Sequence, residues 1–526
     1  MEDYLVGIDF GACNLKAVAF DGKFKPIQLN KNESGIKYAP NAIYYSETSD
    51  GEVEKIIGQI AINYSKTDEK NFVDKIKRKI EIADWKQLIK SLGREVTAKE
   101  VVKDIFEKMK SSFFDNKKDQ NIRAILTVPV CFSKIQRDLI KQAAEDAGLK
   151  VECLISEPFA ALFALNDLPD FDKKLIMIFD LGGSTLDVSI AQVDRLNDGG
   201  LKITELAASG ICFGGLDIDK DIYEKILLKN FKNDFDNSMV DRSNREEFFL
   251  DFARDLKEMI FKGRAKEISA MHLTAGYPEG LEKITLKRSD IENLLETSDY
   301  KKKIFDLFDS LFDDLDENGN YHDKSEIAKI FPFGGTCKIP FFTKILEEYF
   351  GEEVFNVEDF DFNDEDLLLE GLEDRYLAVA GGAVNYLNSK INGLKVETIN
   401  VIPFCIGYAQ GNKFIRGIAR NMPFGFESMP LILSLNELNQ NDWTFSVYQC
   451  FNNQKKLSLD DSGLAVFIGK IKLTENDYEK EEPPFVTMRI MKDGKLRLQF
   501  FDNQKLRDSK KKGRVMIEEK FIEIGG

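Results

Sequence analysis

Asp9-Phe-Gly-Ala-Cys-Asn-Leu15 and Asp180-Leu-Gly-Gly-Ser-Thr-Leu186 decide the reading of this chain. Each sets an aspartate at the end of an apolar run, follows it with a glycine turn and opens a second apolar run, which is the pattern of a β-hairpin. In the first, residues 4–9 form the incoming strand, 10–15 the turn and 16–20 the returning strand, closed by Asp21-Gly22. In the second, the apolar flank begins at Leu175. A repeat at so wide an offset predicts two related α/β halves and not a solenoid, whose units recur every ~20–50 residues.

Glycines in a tight turn expose consecutive backbone N–H groups, which can surround phosphate oxygens without side-chain obstruction. An aspartate at the strand end supplies hard oxygens for Mg²⁺, directly or through its waters. One such turn carries little weight, but two with aspartate in the same place point to nucleotide binding. The expected contacts are Gly11, Ala12, Cys13 and Asn14 in the first turn and Gly182, Gly183, Ser184 and Thr185 in the second, with Asp9 and Asp180 on the metal side. A third turn, Ala208-Ser-Gly-Ile-Cys-Phe-Gly-Gly-Leu-Asp217, adds Gly214 and Gly215. A fourth, Phe333-Gly-Gly-Thr-Cys-Lys-Ile-Pro340, adds Gly334, Gly335 and Thr336 before a helix N-terminus, where dipole and free amides favour a phosphate or ribose neighbour.

Between these turns, helices are predicted over 72–92 and 99–114 and a strand over 123–128. Ser133 caps a long helix that stops at Gly148, and Ser156 caps another that opens at Pro158. Further helices are expected over 246–269, 289–314 and 340–349, with a strand over 327–331. The acidic stretch 352–370 reads as a solvated surface insertion. Beyond Ser389 the texture changes to short apolar segments at 414–418, 444–448, 464–468, 485–491, 496–501 and 515–524. They are punctuated by Gly411-Asn412, Asp461-Ser462-Gly463 and Asp493-Gly494, which predicts a β-sandwich or barrel-like domain beginning near residues 390–400.

A length of 526 residues implies two or more domains, and 43% hydrophobic residues suffice for their cores. With 73 basic against 90 acidic side chains the net charge is −17, a field that disfavours nucleic acid and anionic membrane as partners. The lysine-rich stretch 505–514 is local and reads as a solvated strand edge. Seven scattered cysteines without a Cys-x-x-Cys pair fit a reducing compartment. His272 and His322 are the only histidines, which leaves almost nothing for histidine catalysis or a zinc site. The N-terminus lacks the pattern of a signal peptide, and no apolar run approaches the ~18 residues of a membrane helix, so the cytoplasm is the expected location.

In order and content these motifs resemble the heat-shock protein 70 chaperones of the actin, hexokinase and heat-shock ATPase superfamily. The resemblance runs through Gly7-Ile-Asp-Phe-Gly-Ala-Cys-Asn14, Leu126-Thr-Val-Pro-Val-Cys-Phe132, Ala143-Ala-Glu-Asp-Ala-Gly148 and Ser156-Glu-Pro-Phe-Ala-Ala161. It continues through Asp180-Leu-Gly-Gly-Ser-Thr-Leu-Asp-Val188, Phe213-Gly-Gly-Leu-Asp217 and Gly334-Gly-Thr-Cys-Lys-Ile-Pro340. In the β-rich part it reaches Ile402-Pro-Phe-Cys-Ile-Gly407, Ile418-Ala-Arg-Asn-Met-Pro423 and Asp493-Gly-Lys-Leu-Arg-Leu498. It implies a two-lobed actin-like ATPase domain with internal duplication over 1–390, a linker over 391–400 and an all-β sandwich that binds peptide over 401–526. Because the last expected strand falls just before Gly526, a short member without the helical lid is expected. The implied cofactors are ATP or ADP and Mg²⁺, and the implied partners are unfolded or extended polypeptide segments, a J-domain co-chaperone and a nucleotide exchange factor.

Carried over by position, the resemblance makes Lys77, within Asn71-Phe-Val-Asp-Lys-Ile-Lys-Arg78, the catalytic lysine. It makes Glu157 the active-site glutamate, Thr185 the hydroxyl at the γ-phosphate, Asp180 a catalytic carboxylate and Asp187 a further member of that cluster. Lys338 stands where the family stacks an arginine on adenine. Without the resemblance, Lys77 reads as a solvated charge on a lysine-rich helix. The chain departs from the family pattern at Ala12 and Cys13, where hydroxyls are usual, and in its linker, Leu394-Lys-Val-Glu-Thr-Ile399. The family's glutamate and lysine over adenosine fall on Lys262 and Ala265. These departures keep open a module that holds ATP and hardly hydrolyses it. An actin-like filament or a sugar kinase on the same core is disfavoured by the β-rich tail. Asp314-Leu-Asp-Glu-Asn-Gly319 imitates the start of a calcium loop, but Ser325 holds its twelfth position, so a capped surface turn is expected. Cys13 and Cys337 are read as small inert residues near the nucleotide.

Overall fold

The computed structural model describes residues 4–29, 37–65, 68–82, 84–113, 121–165, 168–198, 200–237, 245–263, 265–269, 281, 283–320, 322–358, 360–361, 368–369, 372, 374–392, 396–429, 431–432, 444–451, 456–459, 465–472, 485–491, 495–501 and 516–523. The glycine turns each close an antiparallel hairpin: Tyr4–Phe10 with Asn14–Phe20, and Lys174–Leu181 with Leu186–Arg195. In both, the first strand of the hairpin also pairs in parallel with a strand from later in its half, Ile122–Val128 and Ile327–Phe333 respectively. Lobe I extends this core with Lys150–Ser156 on one side and Phe24–Pro26 on the other. Lobe II extends it with Leu201–Ile211 and, at the edge, Val396–Ile399. The expected duplication is therefore present as topology. The central strands are buried along nearly their whole length, because helices cover both faces of such sheets.

Local signals placed several elements well. Ser133 accepts from the amide of Gln136 in a complete capping box, and the helix Lys134–Asp146 gives way to Gly148 at φ +82°. Ser156 caps Glu157–Leu162 through the amide of Phe159. The helix expected over 72–92 does not form. Phe72–Asp74 is a strand, Lys75 turns the chain at φ 47°, and only Ile76–Lys79 is helical before the hairpin Lys86–Ile89 and Arg94–Thr97. Pairing of Phe72–Asp74 with Ala42–Glu47 outweighs the helical spacing of its apolar residues. The helix expected over 246–269 stops as Arg245–Lys262 and is followed by the strand Glu267–Ser269. The one expected over 289–314 is two helices, Arg288–Glu296 and Tyr300–Glu317.

Lobe I packs around Phe10, Phe106 and Phe132, and lobe II around Phe179, Phe252, Phe308 and Phe342. A third cluster belongs to both and includes Leu5, Ile125, Phe159, Ile178, Phe331 and Val384. Its centre is the helix Ala378–Ile391, which leaves lobe II and lies against the first strand of lobe I. The approach is so close that a Cβ on Gly7 would stand 2.1 Å from the carbonyl oxygen of Ala380.

From Val401 onward the described chain is all β. One antiparallel sheet runs Lys456–Ser458, Lys413–Ile418, Cys405–Gln410, Thr444–Cys450, Ala465–Lys472; the other runs Leu431–Ile432, Phe485–Ile490, Lys495–Phe501, Met516–Glu523. They share a core that includes Ile406, Val447, Met488, Leu498 and Phe500. The turn at Gly411 is present with φ +58°, while 461–463, 493–494 and the basic run 505–514 lie outside the described residues. Of the acidic stretch, 359, 362–367 and 370 also lie outside them.

The β-rich part rests on lobe II. Val396–Ile399 joins the lobe II sheet in parallel with Leu201–Thr204, and two residues on Val401 N donates to Glu205 Oε2 at 3.3 Å. Arg420 Nε lies 2.6 Å from Asp314 Oδ2, which also accepts from Asn421 Nδ2 at 2.8 Å. Asn421 Oδ1 in turn accepts from the amide of Ala208. Asp314 is thus not on a capped surface turn: it is 1% exposed, because the helix that carries it is covered by the β-rich part. No helix among the described residues is long and apolar enough to cross a membrane.

Candidate functional site

A cavity of about 630 Å³ opens between the lobes, within the range of small-molecule sites. Both hairpin turns face it. Its wall includes Asp9, Gly11, Ala12, Cys13 and Asn14 from lobe I, and Asp180, Gly182, Gly183, Ser184 and Thr185 from lobe II. Lys77 and Glu157 form part of the wall, as do Gly215, Gly334, Gly335, Thr336 and Lys338. Ala265 does not line it, whereas Lys262 does. Gly214 stands behind the wall with its amide donated to Asp217 Oδ2 at 2.8 Å.

The turns are held by side chains whose own sequence context says nothing of it. Asn41 Nδ2 donates to Gly11 O at 2.7 Å and its amide donates to Cys13 O at 2.8 Å, which fixes the lobe I turn. In lobe II, Gly182 O accepts from Thr336 Oγ1 at 2.8 Å and from Gly215 N at 3.0 Å. Lys257, paired with Asp219 at 2.6 Å, donates to Gly215 O and steadies that brace. The third glycine turn therefore supports the second through Gly215. Gly334 has φ +83°, and a Cβ there would lie 2.2 Å from Leu181 O and 2.7 Å from Asp180 Oδ1, so this position requires glycine on both conformational and steric grounds.

Charge is concentrated on the floor. Asp9, Glu157, Asp180 and Asp187 are all buried, Asp187 completely. Lys77 is 2% exposed, its Nζ 2.5 Å from Glu157 Oε1 and 5.6 Å above the ring of Phe132. Burial opposes its charge, but Glu157, Asp9 and Asp187 outweigh that and hold the ammonium above its ordinary value. Lys16 Nζ lies 2.7 Å from Asp9 Oδ2 and is likewise held charged by that pairing against the cost of burial. Among the described residues no lysine or arginine pairs with Asp180 or Asp187. Burial, then Glu157, then Asp187 push the Asp180 carboxyl well up, and burial and Glu157 push Asp187 up to about 7. Asp187 Oδ1 accepts from Val130 N at 2.6 Å, while its buried Oδ2 has no hydrogen-bond partner. Crowded, buried, oxygen-only acceptors of this kind fit a hard divalent cation such as Mg²⁺.

The outer wall is aromatic. Tyr38 and Tyr376 have ring centroids 5.6 Å apart, Lys338 Nζ sits 4.7 Å over the Tyr376 ring, and Phe261 lines the same side. These rings, with Asn41, Lys16 and Lys257, were not among the residues expected from sequence. Only Lys16 carried a usable signal: hairpin register places it directly across from Asp9. Two ion pairs span the lobes at the rim, Lys75 with Asp251 at 2.7 Å and Arg78 with Asp217 at 2.6 Å.

Paired glycine turns and a buried lysine–glutamate pair meet at one interlobe cavity beside buried carboxylates, residues that could hold a metal-bound phosphate chain. A family model described as Hsp70 protein matches residues 5–505. The chain belongs to the Hsp70 family, whose members are ATP-dependent chaperones.

Proposed function

We propose that this chain binds and hydrolyses ATP between its lobes and uses the closure of the cleft to control binding of extended polypeptide segments by its β-rich part. The observation that carries the reading is the buried Lys77–Glu157 pair set between two glycine turns. Phosphoryl transfer depends on positioning and on stabilising charge, and needs no activated side-chain nucleophile. Gly11, Ala12, Cys13 and Asn14 in one lobe and Gly182, Gly183, Ser184 and Thr185 in the other would hold the phosphates from two sides. Lys77, fixed by Glu157, would orient the attacking water and offset charge that develops on the γ-phosphoryl group. Thr185 would contact that group. Mg²⁺, held through water by Asp9 and Asp180, would supply charge neutralisation on the phosphate oxygens when bound. Lys338 and Tyr376 would flank the base, and Gly334, Gly335 and Thr336 would close the site beneath the sugar.

In this reading 1–390 is the nucleotide-binding domain, 391–400 the linker and 401–526 the peptide-binding domain, working in the cytoplasm with a J-domain co-chaperone and an exchange factor. The strand Val396–Ile399, the Val401–Glu205 contact and the Arg420–Asp314 pair support a linkage between nucleotide and peptide sites. Single-turnover hydrolysis with Mg·ATP tests the enzyme. Lys77→Ala is expected to lower the rate by ~10²–10³ while ATP affinity, read by calorimetry, moves far less. No turnover by the parent chain, or an unchanged rate in the variant, removes the ATPase assignment. A second reading, an ATP-holding module with little hydrolysis, is favoured by Ala12 and by the neutralisation of Asp9 by Lys16. Tight binding without turnover would select it.

A further inference from the structure

Away from the nucleotide cavity, the seam between the lobes carries two thiols. Cys131 follows the lobe I strand Ile122–Val128, Cys212 follows the lobe II strand Leu201–Ile211, and their Sγ atoms are 3.6 Å apart. Cys212 is exposed and Cys131 is half-buried. Neither sits on a floppy loop. Arg137, itself buried, donates to the carbonyls of Phe132, Pro129 and Val130 around Cys131, and Val130 N donates to Asp187. Phe213 N closes a tight turn onto Ile211 O around Cys212. Arg78 and Asp217 bridge the same two lobes nearby.

We propose that Cys131 and Cys212 form a reversible disulfide that staples lobe I to lobe II when a hydroperoxide reaches the seam. Side-chain rotation must close the gap from 3.6 Å to a bond of ~2.0 Å. The hydrogen bond from Cys131 holds the Cys212 thiol below the ordinary cysteine range, with Arg78 adding to this against burial, Glu81 and Asp217; the same bond holds Cys131 above it. Cys212, exposed and the more acidic, is the thiolate that reacts first. It attacks the terminal peroxide oxygen, the O–O bond breaks, and the alkoxide or hydroxide that leaves takes a proton from solvent, which gives Cys212 sulfenic acid. The Cys131 sulfur then attacks the Cys212 sulfur, the S–O bond breaks and water leaves with the Cys131 proton. Two electrons have passed from the sulfur pair to the peroxide, and a dithiol reductant reverses the bond.

The staple lies one residue from the Val130–Asp187 hydrogen bond and one from Phe132, whose ring lies under Lys77. It would therefore fix the lobes in the arrangement seen here and retain bound nucleotide. That consequence rests on the ATP reading; the bond itself does not.

The test uses the full chain, treated with hydrogen peroxide, quenched with iodoacetamide and mapped by mass spectrometry without reduction. The expected product is a peptide pair joined through Cys131 and Cys212, lighter by the two hydrogens lost and separated by dithiothreitol, and absent in both Cys131→Ser and Cys212→Ser. Separate alkylation of both cysteines after peroxide, or Cys212 halting at sulfinic acid with Cys131 free, overturns the proposal. In the second arm, release of a fluorescent ATP analogue is expected to slow at least about tenfold on oxidation, since release needs the lobes to part, and to recover on reduction. Unchanged release from a fully cross-linked sample overturns the staple. Cross-linking in a chain that binds no ATP supports the disulfide and removes the nucleotide reading.

Discussion

The two glycine turns share a backbone plan and differ in charge. At the register position across from the strand-end aspartate, lobe I carries Lys16 opposite Asp9, and lobe II carries Asp187 opposite Asp180. The first pair closes on itself at 2.7 Å, whereas the second leaves two buried carboxylates beside Glu157. The lobe I turn carries Ala12 and Cys13, while the lobe II turn has the hydroxyls of Ser184 and Thr185. A duplicated hairpin has thus become one neutral half-site and one acidic half-site. In the proposed reading both aspartates hold the cation through water, but the acidic half attracts it more strongly, because Lys16 already offsets the charge of Asp9.

That asymmetry can be broken at three points. The largest effect is expected from Asp180→Asn, which should lower single-turnover hydrolysis by ~10²–10³, against less than about tenfold for Asp9→Asn, whose charge Lys16 already offsets. Equal losses in the two variants would show that the halves contribute alike. Next in size is Lys16→Met, which leaves Asp9 buried without its cation. With Lys16 still partly exposed, the loss of stability should be ~1–3 kcal/mol in the urea midpoint of the nucleotide-free protein, and Asp9→Asn in the same chain should restore most of it. A single variant as stable as the parent would mean that the pair contributes nothing. The smallest effect is expected from Ala12→Thr, which returns a hydroxyl to the neutral turn. One added hydrogen bond to phosphate is worth ~0.5–1.5 kcal/mol, so hydrolysis should rise a few-fold under saturating Mg·ATP. A fall would show that this turn, where Ala12 is 5% exposed, has no room for the branch.

Much of the fold was legible because its signals are local. Asp-x-Gly turns, the Ser133 and Ser156 caps and the Gly148 stop act within a few residues, and all appear where the sequence put them. The stretch 72–92 misread because a four-residue helix between strands presents the same spacing of apolar residues as a longer helix, and only pairing with the distant strand Ala42–Glu47 decides between them. Site residues behaved in the same way. The turn glycines could be named from their own neighbours, but the side chains that hold them, Asn41 and Lys257, arrive from 30 and 42 residues away. Lys77 needed a family resemblance, since nothing in Asp-Lys-Ile-Lys-Arg distinguishes the one lysine that Glu157 draws inside. Asp314 misled for the same reason: its partner, Arg420, lies 106 residues further on.

The contact between Gly7 and Ala380 has a consequence for synthesis. The strand Tyr4–Phe10 cannot complete its burial until the helix Ala378–Ile391, about 370 residues later, has left the exit tunnel, a delay of roughly 20–75 s at about 5–20 residues per second. Lobe I must spend that interval as a nascent chain with Leu5, Val18 and Ile125 uncovered, since all three belong to the cluster that the helix completes. Until then the strand that carries Leu5 lacks the helix that completes its cluster.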